Sequence, residues 1–327
     1  MYADRLIARL GLCLMLGIVA PSLSALAQGY PNKPIRIIVP ATAGGLTDTV
    51  GRAMAPRLSE VLGQPVIVDN KAGANGIIGM EALAKAAPDG YTLGVGYSAT
   101  LSINPGLYSK LPYDAARDYA PITAAVSLPL VLIAHPSVPA KNLAELIALG
   151  KSHPGKYAYG SAGSGATGHL SMELFKTLTG LNFTHVPYKG NAPAYADLLA
   201  GQVQLMFGDV PSALPYVKAG RVRAFAITSQ QRSPLMPDVP TVREAGLSGF
   251  ESTILFGFIA PAGVPQDIVQ RLNGEIVKIL REPAFTQRFA AQAVDIVPTT
   301  PEGYGELIRR ETAQWAQVIK SSGAKAD

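Results

Sequence analysis

The segment best suited to binding a ligand is residues 40–48, a Gly-rich stretch between an apolar run and a helical pattern. Its glycines let the backbone approach a ligand closely, and the free amides and partial positive charge of a helix N-terminus suit a carboxylate. Thr47 or Asp48 is predicted to cap the helix that follows. Taken alone, the segment is equally well explained as an ordinary tight turn. The predicted ligand-binding residues in it are Thr42, Ala43, Gly44, Gly45 and Asp48.

A second Gly-rich segment, residues 160–169, contains a GxGxxG pattern between a predicted strand and a predicted helix. A dinucleotide site would also need an acidic residue about 20 positions further on for the ribose, and the strand ending at residues 185–189 supplies none. A second carboxylate site, with Ser and Thr hydroxyls beside free amides, fits better. The predicted ligand-binding residues here are Gly163, Ser164, Gly165, Thr167 and His169, of which His169 more simply bonds its own loop.

Three further groups of residues follow predicted strands, and ligands bind outside the carboxyl ends of strands in open α/β sheets. Lys189 would offer charge to an anion, although a solvated surface lysine explains it equally well. Asp209 would face a ligand amine or cap the next helix. The predicted binding residues of these groups are Tyr97, Ser98, Thr100, Tyr188, Lys189 and Asp209.

Signatures of catalysis and of metal binding are missing from the sequence. It has no HExxH, GxSxG or GxxxxGK[ST] motif, and its four histidines are scattered without metal-ligand spacing. We therefore predict no catalytic residue, no metal and no cofactor, and expect a binding protein instead of an enzyme. No Lys/Arg stripe marks a nucleic-acid partner.

The candidate loops lie between elements that alternate strand and helix, which indicates parallel βαβ units. Pro56 is expected to kink or shorten its helix, and the mostly helical last third is expected to pack on the first lobe. We predict an α/β, two-lobe fold with doubly wound sheets and two interlobe crossovers, near residues 126–129 and 250–258. Lobe 1 would comprise residues 28–127 and 252–327, and lobe 2 residues 128–251. Strands are predicted at residues 35–39, 66–68, 91–96, 130–134, 156–160, 183–186, 203–207 and 223–227.

The N-terminal pattern predicts an export signal, with basic Arg5 and Arg9, an apolar run and a cleavage site after Ala27. The run is shorter than the ~20 residues of a membrane anchor, and the large Leu12 disfavours lipid attachment at Cys13. Cleavage would leave a chain without cysteine, which suits an oxidising compartment. The 327 residues suffice for two domains. We expect a periplasmic monomer.

The chain resembles the Bug family, the extracytoplasmic receptors of tripartite tricarboxylate transporters. The resemblance spans nearly the whole mature chain, and the order and spacing of its segments make it specific. The segments are YPNKP at 30–34, GG at 44–45 with Asp48, VDNKAGANG at 68–76, PDGYTL at 88–93, LPYD at 111–114, GSGATGHL at 163–170, VPYKG at 186–190, PDVPT at 237–241 and APAGVP at 260–265.

The resemblance implies a periplasmic-binding-protein fold of type II, in which two Gly-rich loops hold the carboxylates of a small ligand. It also implies partner subunits in the membrane. Ala41 and Ala43 replace an aromatic residue and a proline usual in the family, and Phe256 lies where the family has a Trp-x-Gly motif, so no single ligand is carried over. The alternatives are a sensor that feeds a signalling protein and, from another class, a periplasmic dinucleotide-dependent oxidoreductase.

Overall fold

A computed structural model describes residues 29–326 of the chain. The predicted signal peptide, residues 1–27, lies outside them. None of the helices in the described part combines the length and the apolar character needed to cross a bilayer.

The first part of the chain builds three parallel strands with their connecting helices. Strand β1 is buried on both faces, as expected for a central parallel strand. A π-helical turn at Ala99–Ile103 follows β3. The elements are β1 (Ile35–Val39), α1 (Leu46–Leu62), β2 (Val66–Asn70), a 3₁₀ turn (Ala74–Gly76), α2 (Ile77–Ala84), β3 (Thr92–Tyr97) and α3 (Asn104–Leu107).

The middle of the chain repeats the pattern, beginning with one long strand. Its elements are β4 (Tyr119–Ala134), α4 (Leu143–Ser152), β5 (Ala158–Ser161), α5 (Thr167–Thr179), β6 (Thr184–Pro187), α6 (Asn191–Leu199), β7 (Leu205–Asp209), α7 (Val210–Lys218) and β8 (Arg223–Ile227). The last part contains β9 (Thr253–Pro261), α8 (Gln266–Leu280), α9 (Pro283–Ala290), β10 (Asp295–Ile296) and α10 (Pro301–Ser322).

The sheet divides into two halves with the same strand order. In the first half the order is β2-β1-β3-β9-β4, with β9 antiparallel to both neighbours. In the second half it is β6-β5-β7-β4-β8, with β4 antiparallel to β7 and β8. The α/β class and the two crossovers predicted from the sequence are therefore confirmed, while the predicted lobe bounds stay a prediction.

Strand β4 joins the halves, because it pairs with β9 from Tyr119 to Pro129 and with β7 from Leu130 to Ala134. Only its last five residues were predicted as a strand. Two shifts in its register with β9, at Pro121/Thr123 and at Ala124/Val126, are irregularities of the kind that β-bulges produce. They explain why an alternating pattern is hard to recognise there.

Two expectations about helices are contradicted in part. Helix α1 begins ten residues before Pro56 and continues beyond it, so the proline does not shorten it. Its apolar face, with Val50, Met54 and Leu58 fully buried, packs in the first core and compensates for the missing amide. Helix α8 packs on the first core as expected. The end of α10 does not, since Trp315 joins Phe175 and other residues of the second half in one core.

Candidate functional site

The predicted binding residues gather at the carboxyl ends of two sets of parallel strands. Strands β1, β2 and β3 run parallel, so the loops after Val39, Asn70 and Tyr97 leave the same edge of the first half. Strands β5, β6 and β7 are likewise parallel, which places the loops after Ser161 and Asp209 at one edge of the second half. Such edges are the usual place for ligands in open α/β sheets.

The first loop is exposed to solvent from Thr42 to Gly45. Gly44 has a φ of +91°, which favours glycine, and its amide donates to Oδ2 of Asp48 at 2.9 Å. The same carboxylate accepts Arg52 Nε at 2.9 Å and Asn70 Nδ2 at 2.8 Å. Burial by itself raises the pKa of the Asp48 carboxyl, but these donors outweigh it and hold the pKa below its usual range. Asp48 therefore shapes the loop with a carboxylate that is already occupied.

The predicted capping of α1 by Thr47 or Asp48 is wrong. The N-cap is Gly45, in extended conformation, so both residues lie inside the helix and are buried. Since glycine has no polar side chain, the first-turn amides of α1 have neither an intrahelical partner nor a cap from that residue. These amides are the donors that the sequence suggested for an anion site, and the adjoining loop from Thr42 to Gly45 is exposed.

The second loop also ends at a residue that cannot cap the helix after it. Helix α5 begins after Ala166, which also has no polar side chain to cap it, and two glycines in the loop have positive φ, +140° at Gly163 and +78° at Gly165. Thr167 is buried in the first turn and Ser164 is exposed. The amide of Gly165 is not free, because it donates to Nδ1 of His169 at 2.9 Å. The ring of His169 therefore bonds its own loop, which is the simpler of the two roles considered for it from the sequence.

Tyr97, one of the residues predicted at the end of β3, lies beside the loop after β2. Its hydroxyl stands within 3.1 Å of where a Cβ on Gly76 would lie, and its ring stacks on Phe256 with centroids 5.9 Å apart. Thr100 is fully buried and its Oγ1 donates to the carbonyl oxygen of Tyr97 at 3.0 Å. Ser98 Oγ accepts the amide of Leu255 at 2.8 Å. The Thr100 and Ser98 hydroxyls thus hold the strand end.

The residues predicted after β6 and β7 have separate tasks. Tyr188 donates its hydroxyl to Asp197 Oδ2 at 2.7 Å, while Lys189 is exposed. Asp209 caps α7, since its Oδ1 accepts the amide of Ser212 at 2.9 Å. Of the two roles considered for Asp209, the structure shows the cap.

The two edges approach each other beside the second loop. A Cβ at Gly165 would lie 2.2 Å from Cδ2 of Leu107, which follows β3 in α3. Asn104, at the start of α3, accepts Asn75 Nδ2 at 2.8 Å and so ties this segment to the loop after β2. The segment after β3 therefore contacts both the second loop and the loop after β2.

The sequence of the chain matches the family model described as "Tripartite tricarboxylate transporter family receptor" (TctC) over residues 50–324. The chain belongs to this family. It is 39% identical to the protein BugT of Bordetella pertussis over 326 residues, 99% of each chain. The predicted resemblance to the Bug family is thereby confirmed.

Solved structures agree with the fold of this TctC receptor. The R. palustris protein Rpa4515 with adipate is 35% identical, with 90% of this chain and 99% of that one covered and a TM-score of 0.76. MatC from Rhodopseudomonas palustris with bound malate is 34% identical, with 89% and 100% covered and a TM-score of 0.72. The periplasmic binding protein BugD is 36% identical, with 90% and 99% covered and a TM-score of 0.72. The two-lobe periplasmic-binding-protein fold is confirmed.

Several supporting residues of the TctC receptor were missed by sequence reasoning. Asn70 and Asn75 both lie in the segment VDNKAGANG, and Asn70 also donates to the carbonyl oxygen of Ala41 at 3.2 Å. Two asparagines in a Gly-rich loop were the available signal. Glu311 left none, since it is one of several acids on α10. Its carboxylate accepts Ser98 Oγ and Ser102 Oγ, each at 3.1 Å.

Two cavities of the described part are lined by other residues. One of about 840 Å³ is lined by residues of both halves, among them Ser127, Ser252, Glu311 and Trp315. Another of about 590 Å³ lies around Tyr108 and Tyr113. None of the predicted binding residues lines either one. Within residues 29–326, His, Cys, Asp and Glu side chains form no group suited to a metal ion.

Proposed function

We propose that this chain is the extracytoplasmic receptor that captures a small dicarboxylate between the loops at residues 42–48 and 163–169 and delivers it to the membrane subunits of a tripartite transporter. The observation that carries the proposal is that α1 and α5 begin after Gly45 and Ala166, residues without a polar cap. Uncapped helix N-termini supply amides and positive potential to an anion.

The ligand class is supported by the relatives. The two Rhodopseudomonas proteins similar to this chain are described with adipate and with malate, and each of these molecules has a carboxylate at either end. One uncapped helix from each half of the chain matches a ligand of that kind. Ala41, Ala43 and Phe256 mark where selectivity among such acids would lie.

The proposed mechanism is closure of the two halves about the crossovers β4 and β9. A ligand that bridges both loops favours the closed state, because half of its contacts are absent when the halves separate. The closed receptor is then recognised by the transporter. No catalytic residue or cofactor has a part in this cycle. We further propose export with cleavage after Ala27 and a monomeric mature protein.

The test adds a competing carboxylate at each helix start. Gly45→Asp and Ala166→Asp place an Asp at an N-cap whose backbone is already extended, so the new side chain caps the helix and occupies the ligand's amides. We expect each variant to melt at or above the wild-type temperature and to bind dicarboxylates at least about tenfold more weakly. Calorimetry with succinate, malate and adipate on residues 28–327 measures the affinity.

Controls separate charge from local disturbance. Pro265→Asp adds the same carboxylate at the start of α8, outside both loops, and should leave the affinity unchanged. Gly45→Asn keeps the cap without the charge and should fall between Gly45→Asp and the wild type. The proposal is contradicted if both Asp variants bind dicarboxylates with wild-type affinity. It is also contradicted if none of the dicarboxylates in a screen stabilises the wild-type protein.

A further inference from the structure

Two histidines from different elements stack beneath the second loop. His169 on α5 and His185 on β6 lie with ring centroids 3.8 Å apart and 7° between their planes. Tyr159 on β5 pairs with His185 across the strands, and its ring centroid lies 4.8 Å from that of His185 with 20° between the planes. Only 5% of His169 is exposed. His185 is half-buried, so the cluster lies mostly in the interior of the second half.

Each imidazole is linked by hydrogen bonds to one of the two glycines of the loop that have positive φ, His169 directly and His185 through Ser161. His169 Nδ1 accepts the amide of Gly165 at 2.9 Å. His185 Nε2 lies 2.7 Å from Ser161 Oγ, and that hydroxyl donates to the carbonyl oxygen of Gly163 at 3.1 Å. Gly163 and Gly165 are the residues whose φ of +140° and +78° shape the loop.

The bond to His169 requires an uncharged ring. A nitrogen that accepts an amide carries no proton, so the proton of His169 is on Nε2, which faces Glu173 Oε1 at 3.9 Å. Ser161 donates to Gly163, and it therefore accepts the Nε2 proton of His185. Two parallel rings at this distance would also repel each other strongly if both were charged.

The surroundings support the uncharged state. The titratable neighbours are Glu173 and Lys176 on α5, which pair at 2.7 Å, and Tyr159, whose hydroxyl donates to Glu173. Burial lowers the pKa of His169, with Glu173 opposing this and Lys176 adding to it. Burial, then His169 and Lys176, lowers the pKa of His185 to about 3.

We propose that His169 and His185 are positioning residues that hold Gly165 and, through Ser161, Gly163 in the conformation that presents the first-turn amides of α5 to a ligand carboxylate. The inference rests on the proposed function and names a part of the same site. The histidines do not touch the ligand, and because they stay neutral they add no charge to the site.

An exchange of amide side chains tests the inference. The oxygen of Asn takes the place of His Nδ1, and the terminal amide of Gln takes the place of Nε2. His169→Asn and His185→Gln therefore keep the required hydrogen bond, whereas His169→Gln and His185→Asn place a similar neutral group at the wrong atom. We expect the first pair to bind dicarboxylates within about threefold of wild type and the second pair to bind about tenfold more weakly.

A second measurement needs no ligand. In ¹⁵N-labelled protein, the amide resonance of Gly165 should stay near its wild-type position in His169→Asn and move in His169→Gln, since a hydrogen bond to nitrogen or oxygen sets its proton shift. The amide of Gly163 should behave likewise in the His185 variants. Melting temperatures that match within each pair show that an affinity difference does not come from unfolding.

The outcomes separate the two proposals. Equal affinities and equal glycine shifts within each pair overturn the positioning role and leave the proposed function intact. Wild-type protein that binds no dicarboxylate, with the glycine shifts changing as expected, overturns the proposed function and leaves the loop geometry intact. The positioning role is supported when affinity and shift change together in the mismatched variants alone.

Discussion

The amide of Gly44 donates to Oδ2 of Asp48 at 2.9 Å, so the first turn of α1 reaches back and closes the loop in front of it. A carboxylate at this place repels an anion. The guanidinium of Arg52 offsets its charge, and the hydrogen bonds from Gly44, Arg52 and Asn70 hold the loop. Asp48 thus fixes the shape of the loop at which a ligand carboxylate is proposed to bind.

Replacing Asp48 is expected to loosen this loop. In Asp48→Asn one oxygen becomes an amide donor that faces Gly44 and Arg52 or Asn70, all of which are donors already. We expect a loss of about 2 kcal/mol in the free energy of unfolding and weaker ligand binding. Urea titration and calorimetry check both.

The control for this change is Asp267→Asn, the same substitution in the first turn of α8. It should cost less than about 0.5 kcal/mol. The lowered pKa of Asp48 also makes its contribution to stability full above the unfolded value of about 3.9 and lost as pH falls through the folded value. Equal effects of the two substitutions at pH 7 would show that Asp48 holds nothing in place.

The contact between Gly165 and Leu107 predicts a steep cost for a single methyl group. Gly165→Ala places a Cβ 2.2 Å from Leu107 Cδ2 at a residue with φ of +78°. Gly180→Ala has a similar φ of +70° and open space around the Cβ, so it measures the backbone strain alone, about 1 kcal/mol. We expect Gly165→Ala to cost a further ~1–3 kcal/mol.

A double-mutant cycle assigns that difference. Leu107→Ala opens the space that the new methyl needs, so the combined variant should lose at least about 0.5 kcal/mol less than the two single losses added together. Additive losses would place the strain elsewhere. Chemical denaturation of the four proteins supplies the free energies.

Because of the buried carboxyl group of Glu311, the stability of the wild-type protein should fall as pH rises, and removal of the group should stabilise the protein at high pH. Burial raises its pKa to about 7, against the opposing effect of Ser102, Ser98 and Arg310. The folded state therefore binds this proton more tightly than the unfolded chain, and stability is lost as pH rises from about 4.5 to 7. Glu311→Gln should be more stable than wild type by about 1–2 kcal/mol at pH 8 and equal to it near pH 4. A gain of the same size at both pH values would mean that the group does not titrate as described.

The stacked histidines predict sensitivity to acid. Because the pKa of His185 is lowered to about 3, the unfolded chain binds a proton at pH 4–6 that the folded state does not bind. Stability should therefore fall as pH drops from about 6.5 toward 3, by at most ~1.4 kcal/mol per pH unit and ring.

His185→Gln removes that ring and should flatten the curve. The Cε1 proton of His185 should keep its chemical shift between pH 7.5 and 5. A titrating His185 resonance in this range would contradict the neutral stack and the loop geometry that depends on it.

Local signals in the sequence were enough to find both Gly-rich loops and most of the strands, although β9, β10 and the first part of β4 were not predicted. Strands β1 and β8 have the bounds predicted for them, because a short apolar run between turn residues specifies a buried strand by itself. The order of strands and helices then required parallel units, and parallel units place the loops at one edge. The family followed from the order of short segments along the chain.

Only the tertiary structure decided which groups remain free in the site. Asp48, Thr100, Ser98 and Asp209 were all reasonable ligand contacts by type and place, but each finds a partner inside the protein. The stack of His169 on His185 and the end of α10 in the second core were equally invisible. Thr100 and Asp209 bond residues only three positions away, but their type and place in the sequence fit a ligand contact equally well. The contacts of Ser98 with Leu255, of His169 with His185 and of Trp315 with the second core join residues far apart in sequence, and periodicity and turn chemistry report only on near neighbours along the chain.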